Sequence, residues 1–139
     1  MNWKLIFGLS LFGLAMAIAT VFVIPSNIEP IFWLVIFVIC AIIIARQVPA
    51  RHFLHGLLVG IVNSVWVTAA HVLLFDAYIA RHAKEAAAMS AAPMPPRVMM
   101  LIVGPLIGVA SGVILGLFAW IASKMIPRRG TRYSGPGTS

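Results

Sequence analysis

The stretch Phe53 to Ile79, FLHGLLVGIVNSVWVTAAHVLLFDAYI, decides how the chain is read. It exceeds the roughly 20 apolar residues needed to cross a bilayer. Yet it carries Asn63, Ser64, Thr68, His71 and Asp76 in a chain otherwise nearly empty of polar side chains. Its apolar length points to lipid as the solvent. Its polar residues are the places where specific chemistry can be sited.

Composition extends that reading to the whole chain. Of 139 residues, 62% are hydrophobic and 9% charged, against about 25% charged in a soluble domain. A soluble chain of this size must cover its surface with polar groups, whereas lipid lets apolar side chains face outward. The expected fold is all-α, a four-helix transmembrane bundle. Its net charge of +7 comes from basic residues that flank apolar runs, which fits orientation in an anionic membrane and argues against nucleic acid as a partner. Cys40 is the single cysteine, so neither an internal disulfide nor a multi-cysteine metal site is available. No metal and no cofactor are expected.

Working outward, the apolar runs give spans at about 4–24, 27–46, 50–80 and 98–126, one domain over 1–127, with a mobile basic Gly/Ser/Pro tail over 128–139. Pro25 ends the first span, and Ser26-Asn27-Ile28-Glu29 reads as a capping box that starts the second. The helix-forming but polar stretch Ala80 to Met89 extends the third helix beyond the bilayer. Pro105 predicts a kink near the start of the fourth. Lys4, Arg46, Arg51, Lys124, Arg128, Arg129 and Arg132 fall on one side, and Arg81, Lys84 and Arg97 on the other. By the excess of cytoplasmic basic residues, the chain is a multi-pass protein of the cell (inner) membrane with both termini cytoplasmic.

Six glycines fall at four-residue spacing: Gly56 and Gly60 in the third span, and Gly104, Gly108, Gly112 and Gly116 in the fourth. Small residues at this interval form a groove along a helix into which a neighbouring backbone can settle. The spacing leaves open whether the third span packs on the fourth within one chain or either meets its copy in a homo-oligomer or larger membrane complex.

At about 100° per residue, Gly60, Thr68, His71, Tyr78 and His82 lie within about 40° of Ser64, on one stripe. Asn63 lies about 100° away and Asp76 about 120°. Asp76 is expected at the edge of the hydrocarbon, near headgroups or beside Arg97. Asn63, Ser64 and Thr68 are expected to make interhelical or backbone hydrogen bonds, and His71, within lipid, must face protein, water or a ligand. His52, His55 and His82 are expected to be solvated at the interfaces.

No nucleophile with an adjacent base, no paired intramembrane carboxylates and no phosphate loop are found, so no enzymatic activity is expected. Two functions are weighed. One is a non-enzymatic accessory or structural subunit that assembles through its glycines. The other is a channel or transporter for protons, ions or small polar solutes along Asn63, Ser64, Thr68, His71 and Asp76. A cavity touching the polar stripe favours the second; a stripe buried dry against the fourth helix favours the first.

Overall fold

The computed structural model describes residues 1–126 and is helical throughout, with no strand among them. The expected tail over 128–139, and the stop at Pro127, lie outside the described residues. Six helices follow in order: α1 (Trp3–Phe22), α2 (Glu29–Gln47), α3 (His52–Leu73), α4 (Phe75–Arg81), α5 (Ala83–Ser90) and α6 (Pro96–Met125). Four of them, α1, α2, α3 and α6, are long and apolar enough to cross a membrane, as a helical membrane protein requires.

Local chemistry sets most of the boundaries. The Asn2 side chain accepts from the Leu5 amide at 3.1 Å, satisfying one of the donors that a helix start leaves open. Pro96 opens α6 at a position where a missing N–H costs nothing, and Pro105 sits inside that helix. Between α2 and α3 the chain turns at Arg51, whose φ of 60° is left-handed. That turn brings the Arg51 carbonyl within 2.9 Å of His55 Nδ1.

Two expected boundaries are corrected. The box between Ser26 and Glu29 does not form: α2 begins at Glu29 with Ile28 before it and no side-chain cap. The Glu29 carboxylate instead accepts from Trp33 Nε1 at 3.1 Å, one turn on. The third span, expected as one helix to residue 80 and beyond, ends at Leu73, and the chain restarts as α4 and again as α5. No proline or glycine lies at Leu74 or His82.

The helices α3 and α6 form the central pair, with α1 against the far side of α3 and α2 against α6. The contact between α3 and α6 is antiparallel, and its small residues meet in register. An added Cβ on Gly56 would lie 2.7 Å from the Gly116 Cα, and one on Gly60 would strike the Gly112 backbone. Further along, Ser64 fills the space over Gly108 and Thr68 that over Gly104. Each step of four along one helix is matched by a step of four back along the other. All six ladder glycines are thereby occupied inside the chain, where close backbone approach gains dispersion contacts that lipid cannot offer.

The two ends of the helix assembly differ. At the end bearing the chain terminus, Ile6 of α1, Ile44 of α2, Val59 of α3 and Leu115 of α6 are all fully buried in one cluster. At the other end a smaller cluster joins Val21 of α1, Tyr78 of α4 and Met100 of α6, with no residue of α2 in its core. Here α2 touches α3 only lightly. The helices therefore close tightly at one end and part at the other, and the site lies where they part.

Candidate functional site

Where α2 stands off from α3, a cleft of about 640 Å³ lies between α2, α3 and α6, bordered at one end by α4 and α5. Its walls are mostly apolar, with Trp33, Phe37 and Phe118 among the large rings and Met89, Met99 and Met100 as flexible fillers. The polar groups on the wall are few, and most come from the stretch that opened the sequence reading.

Four of the five polar candidates of the third span, Asn63, Ser64, Thr68 and His71, line this cleft. They differ in how they are satisfied. Ser64 Oγ donates back to the Ile61 carbonyl at 2.7 Å, the local bond that a helical serine commonly makes. Thr68 Oγ1 and His71 Nε2 are buried without a hydrogen-bond partner. Asn63 is 4% exposed, and neither of its amide atoms has a partner. An added Cβ on Gly13 of α1 would lie 2.5 Å from its Oδ1, so the amide is wedged where α1 passes α3. An unpaired polar group in such a place costs about 1–3 kcal/mol.

Asp76 does not join them. It faces away on α4, its side chain 93% exposed, with its carboxylate 3.7 Å from Arg97. Arg97 also lies over the Phe75 ring, 5.1 Å from its centroid. The expected place beside Arg97 is the place observed, outside the cleft.

Two further readings of the histidines are corrected. His82 is not solvated but 2% exposed. Its Nδ1 donates to the Tyr78 carbonyl at 2.9 Å, leaving Nε2 buried without a partner. His55 is 3% exposed; its Nε2 accepts from the Asn2 amide at 3.1 Å, tying the chain start to α3. Burial of both rings follows from the turns around them, which periodicity alone does not reveal.

His71, Tyr78 and His82 form a continuous stack. The His71 and Tyr78 ring centroids are 4.4 Å apart at an interplanar angle of 29°, and Tyr78 and His82 are 4.2 Å apart at 16°. A straight helix would space rings seven residues apart by about 10 Å. The stack joins α3 to α4 across the break at Leu74.

Tyr78, which lies on the expected stripe, and two groups outside it, Glu29 and Glu85, also line the cleft. Glu29 had been assigned to a cap and Glu85 to a protruding helix. The available signal was spacing, since Glu85 follows Tyr78, and Tyr78 follows His71, by seven residues each. Glu85 Oε2 is buried without a partner. Of the three acidic residues in the chain, two are on this wall, and no lysine or arginine is. Among the described residues no group of three or more His, Cys, Asp or Glu side chains is placed to hold a metal ion.

Against protein-family models, curated proteins and solved structures, the chain has no match.

Proposed function

We propose that the chain is a membrane-embedded binding protein or carrier that holds a small amphipathic solute in the cleft between α2, α3 and α6. The observation that supports this reading is the mostly apolar cleft of about 640 Å³ with Glu29, Ser64, His71 and Glu85 among the few polar side chains on its wall. Ligand sites are typically of this size and kind: mostly apolar walls with a few placed polar groups. The alternative, an accessory subunit assembling through glycine rows, has less to support it, because all six glycines of those rows already face a neighbour within the chain.

The arrangement proposed is a four-helix transmembrane bundle in the cell membrane with both termini cytoplasmic. Among the described residues, Lys4, Arg46, Arg51 and Lys124 would face the cytoplasm and Arg81, Lys84 and Arg97 the opposite side. The cleft then opens toward the outer leaflet, with α4 and α5 as its rim beyond the third span. Pro105 denies the Leu101 carbonyl its helical donor, and α6 bends most easily there.

The test uses purified protein in phosphatidylcholine nanodiscs and an uncharged solvatochromic naphthalene dye. Saturable binding is expected. Ser111→Trp, which places a large ring on the cleft wall, is expected to abolish it while leaving the helical circular dichroism unchanged. Binding that is absent in the wild type, or indifferent to the filled cleft, overturns the proposal. Proteoliposome flux of the same dye, compared between wild type and His71→Ala, then separates carrying from holding.

A further inference from the structure

We infer that the cleft selects lipophilic cations, organic molecules that join a positively charged amine to an apolar body. The inference rests on the cleft being a binding site and adds the class of its occupant.

The charge distribution carries it. The chain has ten basic and three acidic residues, so an average patch of its polar surface should be basic. The cleft wall is the reverse: it holds Glu29 and Glu85 and no lysine or arginine. The third acid, Asp76, is taken by Arg97 outside the cleft. Neither cleft carboxylate has a cationic partner among the described residues. Glu29 accepts only the neutral Trp33 indole at 3.1 Å, and Glu85 Oε2 accepts nothing at all. Both side chains are half-buried, and an unpaired carboxylate beside an apolar wall attracts a cation more strongly than one in open water.

The remaining wall fits the rest of such a molecule. Trp33 presents an aromatic ring beside Glu29, and ring faces attract organic cations. Below them Phe37, Ile114 and Phe118 continue the cleft as an apolar slot suited to a tail. Asn63 lines the same wall, with its amide set against Gly13 of α1. A phospholipid amine is a poor occupant, because the phosphate that accompanies it would be repelled by the same two carboxylates.

Three probes of equal chain length, decylammonium, decanol and decanoate, can be compared below their micellar concentrations by displacement of the neutral dye from protein in phosphatidylcholine nanodiscs. Decylammonium is expected to displace at least tenfold more effectively than decanol, and decanoate least of all. In the Glu29→Gln, Glu85→Gln double variant the preference for decylammonium over decanol is expected to fall to about one. The two amides keep the size of the side chains they replace, so a folded protein with neutral cleft chemistry is obtained. Equal displacement by all three probes, or a preference for decanoate, sinks the cation assignment while leaving a working binding cleft. Failure of the dye itself to bind removes the cleft reading and the assignment together.

Discussion

The backbone of Gly60 faces that of Gly112 so closely that an added methyl group on Gly60 would collide with the Gly112 Cα. The obstacle is main chain on both sides, which cannot rotate away as a side chain can. Gly112→Leu is therefore expected to destroy the monodisperse peak of the protein in detergent. Gly8, with nothing within 4 Å of where its Cβ would be, is the control: Gly8→Leu should keep the peak, as should Cys40→Ala. Equal tolerance of all three changes would mean that α3 and α6 do not meet as described.

The stack of His71, Tyr78 and His82 predicts a graded response to changes at its centre. Each ring pair contributes about 0.5–1.5 kcal/mol beyond simple burial. Tyr78→Leu, which removes both, should lower unfolding free energy in mixed micelles by about 1–3 kcal/mol. Tyr78→Phe retains the rings and should remain close to wild type. A Phe variant as unstable as the Leu variant would show that the hydroxyl, not the stacking, secures α4.

Asn63 offers the opposite sign. Leucine has nearly the same shape and lacks the two unpartnered amide atoms, so Asn63→Leu removes a desolvation cost of about 1–3 kcal/mol without opening a hole. The variant should unfold at a higher denaturant concentration than wild type and bind amphipathic solutes less well. Loss of stability would indicate that the amide is satisfied in the membrane by a group such as water.

Asp76 should prove dispensable. Its ion pair with Arg97 is exposed on both sides, at 93% and 56%, and such pairs contribute about 0–1 kcal/mol. Asp76→Asn is expected to change neither unfolding nor dye binding measurably. A large drop in binding would bring this carboxylate back into the site.

The legible and illegible parts of this molecule divide along a physical line. Four apolar runs follow from the length that hydrocarbon demands, and the structure has four matching helices. The register of Gly56, Gly60, Ser64 and Thr68 was visible as spacing, because a groove along one helix is a local property. Its partner was not, since either α6 or a second copy could fill it. The break at Leu74 left no mark, as residues 75–90 are mostly good helix formers and contain no proline or glycine. Glu85 was invisible too: its importance depends on α5 turning back over the cleft. Ser26 and Glu29 show a local motif losing to a nearby competitor, the Trp33 indole, one helical turn away.

The fully buried quartet Ile6, Ile44, Val59 and Leu115 packs the helices shut at the end away from α4 and α5. Under the proposed reading a guest that enters would back out through the same doorway, so in this shape the protein would work as a cup and not as a pipe. One-way traffic would demand a second posture, with the greasy plug unseated and the doorway shut. The swinging part would be α2, whose grip on α3 is the loosest of the three long-helix contacts beside the hollow.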